Sequence, residues 1–329
     1  MSRKNKKVYI KTFGCAQNVA DSERVKAYFW GQGYDFTDNW KEADEVVINS
    51  CVVRESAENR VYGLVDNIKK FNPKIKIILT GCLTGIKKKV DNVDEIWPIS
   101  KFEAIEPLRN NKNAALIPIS TGCNNFCSYC IVPFARGKEV SRDFQKIIEE
   151  VDEAIKKGFK TVVLIGQNVN SYEPSFPKLL EAVAKKPLDK ISFVSSNPWD
   201  FSDELIETIA KYPNIDRLIH LPFQSGDDEI LKKMNRNYTQ KEYLNLVKKI
   251  RKKVKGVRFS TDIIVGFPGE DEKAFQNTVD VCRKVGFEIA YINKYSPRQG
   301  TVSAKLYPND IPQAEKKRRW QVLERLVNK

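Results

Sequence analysis

Three of the chain's seven cysteines fall within eight residues of STGCNNFCSYCIVPFARGKEVSR (120–142), as Cys123, Cys127 and Cys130, spaced Cys-x3-Cys-x2-Cys. A structural zinc site wants four ligands, all cysteine or cysteine mixed with histidine, in paired short spacings. The chain has a single histidine, His220, far from this loop in sequence. A cubane [4Fe–4S] cluster suits three cysteines better: three irons take thiolates and the fourth stays open for another ligand. The total of seven is odd, and a chain of 329 residues does not depend on disulfides for a core. Three further cysteines, Cys15 in TFGCAQN, Cys51 in INSCVVRE and Cys82 in LTGCLTG, are distant from one another in sequence. Cys282 sits inside an apparent helix, QNTVDVCRKVG, and is expected to be an inert buried thiol.

The elements around these cysteines give them meaning. Residues 7–120 alternate short apolar strands (KVYIKTFG, EVVINS, KIKIILTG) with polar helices (DSERVKAYFWGQG, ESAENRVYGLVDNIKKF). Such alternation argues for an α/β domain with a parallel sheet. Cys15, Cys51 and Cys82 each follow one of the three strands, and strand carboxyl ends gather on the ligand-binding edge of such a sheet. Three remote thiols thereby converge on one site. From about residue 121 the pattern restarts, with strands at TVVLIGQ, ISFVSS, RLIHLPF, RFSTDIIVGF and FEIAYINKYS. Amphipathic helices such as QKIIEEVDEAIKKG and TQKEYLNLVKKIRKKV separate them, and the number of βα units implies a barrel or part of one.

A length of 329 residues fits about two domains at roughly 150 residues each. Hydrophobic content of 41% and aromatic content of 10% supply a globular core. No apolar run approaches the roughly 18 residues of a membrane span, and MSRKNKKVYIKTFG lacks the apolar region of a secretory signal. The expected location is the cytoplasm, with no membrane partner. A net charge of +14 points to a polyanion partner, with basic residues bunched in KKIRKKVKGVR (248–258) and AEKKRRWQVLER (314–325).

The Cys-x3-Cys-x2-Cys spacing, with Tyr129 before the last cysteine, resembles the radical S-adenosylmethionine (radical SAM) superfamily. That resemblance implies a [4Fe–4S] cluster on Cys123, Cys127 and Cys130, whose open iron binds the methionine end of S-adenosylmethionine. One electron then yields a 5′-deoxyadenosyl radical. With the upstream cysteines the chain resembles the methylthiotransferases, which carry a second [4Fe–4S] cluster on the positions of Cys15 (GCAQN), Cys51 (NSCVVRESAENR) and Cys82 (TGCL). Within that family GCNNFCSYCIVPFARGKEVSR, LIGQNVNSY, HLPFQSGDDEILKKMNRNYT, STDIIVGFPGE and NKYSPRQGT favour one tRNA branch. Its members convert isopentenyl-adenosine beside the anticodon to the 2-methylthio derivative. The alternatives are the sister branches, which act on threonylcarbamoyl-adenosine tRNA or on an aspartate of a ribosomal protein, and, from a different class, a non-catalytic zinc-stabilised RNA-binding protein.

The resemblance implies a flavodoxin-like open parallel sheet over residues 1–118, followed by a radical SAM partial (β/α) barrel over 119–329 that ends in a basic helix. Family members close with a small β-barrel RNA-binding domain called TRAM, expected to be missing here because the sequence stops at RRWQVLERLVNK. Gly166, Gln167 and Asn168 match the segment that contacts the cofactor's methionine end, although Gly166 also reads as a simple turn. Ser195, Ser196, Gln224 and Ser225 end later strands, where they reach cofactor or substrate, or cap the next helix. Ile264, Gly266 and Phe267 match the segment that cradles adenine. His220 reads as a hydrogen-bonded strand-end residue, and Arg136 and Arg142 as phosphate contacts or surface ion pairs. The implied chemistry uses one S-adenosylmethionine to methylate sulfur on the second cluster and another to make the radical at carbon 2 of a splayed-out base. The implied partners are a tRNA anticodon stem-loop and an electron donor such as flavodoxin or ferredoxin, with the protein a monomer.

Overall fold

The computed structural model describes residues 5–53, 55–109 and 113–328. The chain divides into two compact units: residues 1–112 with Ile131–Glu139, and Asn113–Cys130 with residues 140–329. The sequence implied a single cut at 118/119; instead the chain leaves the second unit after Cys130 and returns at Val140. The excursion has a physical cause. Ile131 and Ala135 are apolar and pack on the first unit's core, while the antiparallel pair Ser120–Thr121 and Val140–Ser141 closes its stem.

Among the described residues the first unit holds five parallel strands, β1 (Lys7–Thr12), β2 (Asp35–Phe36), β3 (Glu45–Ser50), β4 (Lys76–Gly81) and β5 (Glu95–Ile96). Their order is β2-β1-β3-β4-β5, the flavodoxin-like order. Strand β3 is buried along its whole length because it is central and covered on both faces. Its side chains alternate between two cores, as the strand period of two requires. Val46 and Ile48 join Ile77, Leu79 and the buried face of helix Glu55–Phe71 (Val61, Val65, Ile68). Val47 faces Val8, Ile78, Phe29 and Phe102 on the other side.

The first helix runs over Ala16–Gly31, five residues earlier than DSERVKAYFWGQG led us to expect. Cys15 takes the N-cap position in extended backbone, and its N–H donates to Asn18 Oδ1 at 3.3 Å. A reciprocal side chain at the third helical position fixes a helix start.

The second unit adds β6 (Ala115–Pro118), β7 (Ser120–Thr121), β8 (Val140–Ser141), β9 (Thr161–Ile165), β10 (Lys190–Phe193), β11 (Leu218–His220), β12 (Arg258–Val265) and β13 (Ile289–Lys294). Two parallel sheets, β10-β9-β6 and β11-β12-β13, are joined where Ile191 pairs with Ile215 just ahead of β11. Helices follow these strands in turn, which makes the six-stranded partial (β/α) barrel. Helix Phe144–Lys156 shows why it packs there: Ile147, Ile148, Val151 and Ala154 form one stripe at helical spacing and are all buried. Asp143, Ser175, Ser202, Thr239 and Asp271 cap five of these helices through side-chain oxygens, each worth about 1 kcal/mol. The carboxyl ends of the six strands converge on one rim, the edge such barrels use for chemistry.

Candidate metal centres

In the first unit Cys15, Cys51 and Cys82 lie just past β1, β3 and β4, three adjacent strands. Ser50 stands opposite Gly81 in register, and the Cys82 N–H donates to Ser50 O at 2.9 Å, so Cys51 and Cys82 leave the sheet side by side. The β1–β3 neighbourhood is where strand order reverses, the ligand crevice of an open parallel sheet.

One asparagine ties the three strand ends together. Asn18 Nδ2 donates to Asn49 Oδ1 (3.0 Å), to Ser50 O (3.2 Å) and towards Cys82 Sγ (3.8 Å), while its Oδ1 accepts from Cys15. Asn49 Nδ2 returns a bond to Asn18 O at 2.8 Å. Two glycines make room for this network. A Cβ on Gly14 would lie 2.1 Å from Asn18 Oδ1, and one on Gly81 would lie 2.3 Å from Asn49 Oδ1. Sequence reasoning missed both asparagines, although their fixed offsets from the cysteines in GCAQN and NSC were the available signal.

Arg136 is the larger correction. It was expected to meet RNA phosphate or a surface carboxylate. Its side chain is instead only 4% exposed, with Nη2 on Asp21 Oδ2 at 2.7 Å and Nε donating to Cys82 Sγ at 3.1 Å. Gly85 permits this approach, since a Cβ there would overlap Ala135 O at 1.9 Å. Burial pushes the Cys82 thiol up; Arg136 opposes that, and Cys51 and Cys15 are close enough to add to it. The guanidinium itself is held above its ordinary pKa: Asp21 and Cys82 outweigh the burial that opposes its charge.

In the second unit the loop carrying Cys123, Cys127 and Cys130 is pinned from several directions. Gln167 Oε1 accepts the Gly122 N–H at 2.8 Å. Ser128 donates its N–H to Met234 O (3.0 Å) and its hydroxyl to Lys233 O (2.7 Å). Asn235 Nδ2 donates to Asn125 O and Phe126 O at 3.3 and 3.1 Å. Phe126 and Asn235 both adopt left-handed backbone, at φ 47° and 56°. Tyr129 packs beside Ile230, Met234, Phe267 and Tyr295, and burial raises its pKa, with Cys127 the next contributor.

Arg236, beside this loop, is another residue that sequence reasoning missed. Its Nη1 donates to Cys127 Sγ at 3.5 Å and its Nη2 to Pro222 O at 3.1 Å. Burial opposes its charge, yet Tyr238, Tyr129 and Cys127 outweigh that and keep the guanidinium protonated. An unpaired buried charge costs about 3–5 kcal/mol, so a residue in this position needs an anion nearby.

The remaining rim residues sort clearly. A Cβ on Gly166 would lie 2.6 Å from Ser120 Oγ, so glycine there serves close packing. Asn168 donates to Asp200 at 2.9 Å while its Oδ1 is buried without a partner. Ser195 and Gln224 take left-handed backbone at φ 68° and 63°, strain that is uncommon away from functional sites. Gln224 and Ser225 are buried, and Ser196 donates to His220 O rather than capping a helix. Ile264 donates its N–H to Gln224 O at 3.0 Å. The Phe267 side chain is fully buried against Tyr295 and Tyr307, which leaves only its backbone for a ligand. His220 bonds Ser260 and Asp262, each at 3.1 Å, as a strand-end histidine should. Arg142 pairs with Glu150 at 2.8 Å, the ion-pair alternative. Burial lifts the Cys282 thiol to about 12, which fits an inert residue.

The basic run 314–325 is not simply a solvated face. Lys316 is fully buried with Nζ on Tyr295 O at 3.0 Å, and a Cβ on Gly266 would lie 2.3 Å from its Cγ. Arg319 pairs with buried Glu270 at 2.8 Å, and Glu270 also accepts the Gly266 N–H at 2.5 Å. These cations brace the 264–270 segment, while Lys317, Arg318 and Arg325 of the same run are exposed.

Among the described residues no three His, Cys, Asp or Glu side chains are grouped as a single metal ion would need. A cubane instead spreads its thiolates over separate corners. Both cysteine sets fit that group in donor chemistry: three soft thiols apiece, with a buried arginine N–H on one sulfur of each.

The radical SAM superfamily model matches residues 117–282, and the model described as uncharacterized protein family UPF0004 matches residues 7–97. The chain is 40% identical to the tRNA-2-methylthio-N(6)-dimethylallyladenosine synthase of Clostridium novyi, over 98% of this chain and 81% of that protein. It is 41% identical to the synthase of the same name from Dehalococcoides mccartyi, over 97% and 81%. Among solved structures it resembles the radical S-adenosylmethionine methyltransferase TsrM from Kitasatospora setae, with TM-score 0.65 and 13% identity over 92% of this chain and 77% of that one. The cobalamin-dependent S-adenosylmethionine radical enzyme OxsB gives TM-score 0.60 at 9% identity, over 98% and 61%. These last two likenesses concern the fold alone.

Proposed function

This chain belongs to the radical SAM tRNA-2-methylthio-N(6)-dimethylallyladenosine synthases, and on that premise we propose that it adds a methylthio group to carbon 2 of isopentenyl-adenosine (N(6)-dimethylallyladenosine) beside the anticodon. It is a transferase whose substrate is tRNA and whose cofactors are two [4Fe–4S] clusters and S-adenosylmethionine. What carries the residue assignment is one observation: two separate cysteine triads, each at the carboxyl edge of its own α/β unit.

Cys123, Cys127 and Cys130 would hold the radical cluster in the second unit, and Cys15, Cys51 and Cys82 the other cluster in the first. When bound, these groups supply a radical able to take hydrogen from an aromatic C–H, which no side-chain base can deprotonate, and the sulfur to be transferred. The protein's own part is placement. Gln167, Ser128 and Asn235 hold the Cys-x3-Cys-x2-Cys loop in shape. Gly166, Gln167, Asn168, Ser195, Gln224, Ile264 and Gly266 line the strand ends where S-adenosylmethionine would lie, with Phe267 contributing backbone only. Asn18 and Asn49 set the spacing of the other three thiols.

The anticodon loop would present its base unstacked, as enzymes acting on a base require. The net charge of +14 and the exposed Lys252, Lys255, Lys317 and Arg325 supply phosphate contacts. No helix among the described residues is long and apolar enough to cross a membrane. A cytoplasmic monomer reduced by a flavodoxin- or ferredoxin-like donor completes the proposal.

Incubation with synthetic anticodon stem-loops tests the substrate. The isopentenylated loop should be methylthiolated, with apparent affinity falling steeply as salt rises because phosphate neutralisation releases counterions. Unmodified adenosine reacting as readily would sink the assignment, and preference for a threonylcarbamoylated loop would move it to the sister branch.

A further inference from the structure

We propose that Arg236 is the counter-charge of the radical cluster, a positioning residue whose guanidinium on Cys127 Sγ favours the reduced state. This rests on the assignment of Cys123, Cys127 and Cys130 to that cluster. Arg236 is 8% exposed, and among the described residues no carboxylate pairs with it. Its Nε is buried with no acceptor. Trp199 and Tyr238 flank the guanidinium at 4.6 and 5.4 Å from their ring centres, and Tyr238 is itself fixed by its hydroxyl on Phe223 O at 2.6 Å. Aromatic faces attract the cation, but they carry no net charge to balance it.

The contrast with Arg136 is informative. That residue also donates to a cysteine sulfur, but Asp21 already neutralises it. Arg236 retains its full charge, and the nearest group able to answer it is the thiolate of Cys127. Three thiolates on a [4Fe–4S] core leave a net negative set in both redox states, more negative once an electron has arrived. A fixed cation in a low-dielectric interior therefore favours the reduced form. No proton need accompany the electron, because the guanidinium is always protonated. The pins that shape the loop come from Lys233 O, Met234 O and the Asn235 side chain, so the Arg236 charge can be removed separately.

The test is a dithionite-poised redox titration of the reconstituted full chain followed by electron paramagnetic resonance. The relevant signal is the one lost when Cys123, Cys127 and Cys130 are replaced by alanine. Arg236→Gln should keep its iron yet lower the reduced-to-oxidised ratio at fixed potential at least tenfold, a 59 mV shift for one electron. Arg236→Lys keeps the charge and should stay within about threefold of the parent. If only the Gln variant fails to hold iron, a requirement for charge is still upheld. Gln titrating with the parent, or both variants losing iron alike, overturns the proposal. A parent with no signal that depends on those three cysteines overturns the cluster assignment, and this proposal with it.

Discussion

Alanine at Cys123, Cys127 and Cys130 together abolishes 5′-deoxyadenosine formation and halves the iron of the anaerobically reconstituted protein, from about eight atoms per chain to about four. That is the largest effect expected, because the radical chemistry has one source. The loop should keep its shape without its thiols. Its pins are Gln167 on Gly122, Lys233 and Met234 on Ser128, and Asn235 on the carbonyls of Asn125 and Phe126, none of which involves sulfur. Loss of activity in a protein that still folds, with a lowered melting temperature because Arg236 loses its Cys127 partner, is therefore the expected signature. Deoxyadenosine formation surviving in this variant would contradict the assignment of the loop.

The converse replacement separates the two units. With Cys15, Cys51 and Cys82 changed to alanine, iron again falls to about four atoms, but reductive cleavage of S-adenosylmethionine persists and no methylthio product forms. The reason lies in the two-unit division: the radical loop and its rim residues all belong to the second unit. Cys51 and Cys82 are buried, so each truncation costs about 1 kcal/mol of packing in the first unit. Arg136 keeps its bond to Asp21, which prevents an orphaned charge when Cys82 is removed. Undiminished iron would show that the three thiols are not ligands.

How much of this was legible depended on the kind of signal. Strands β3, β4 and β9 are short apolar runs bounded by polar or glycine residues, and those runs placed Cys51, Cys82 and Gly166 at strand ends before any coordinates. The early helix start was hidden because Cys15 is an unusual N-cap, and the network of Asn18 and Asn49 leaves no periodicity to read. Arg136, Lys316 and Arg319 each sit in charge-rich stretches that resemble solvated faces. Their burial is decided by distant partners, Asp21 for the first, Tyr295 for the second and Glu270 for the third. The return of Ile131–Glu139 to the first unit depends likewise on apolar side chains meeting a core assembled from strands far away in sequence.

The central claim is that this chain makes 2-methylthio-isopentenyl-adenosine in tRNA. The most direct measurement is mass spectrometry of tRNA nucleosides from cells that make isopentenyl-adenosine and lack their own methylthiolating enzyme, with and without this gene expressed. The account predicts that the isopentenyl-adenosine peak declines and its 2-methylthio derivative appears only where the gene is present and all six cysteines of the two triads are intact. An unchanged isopentenyl-adenosine peak alongside soluble, iron-loaded protein would contradict it.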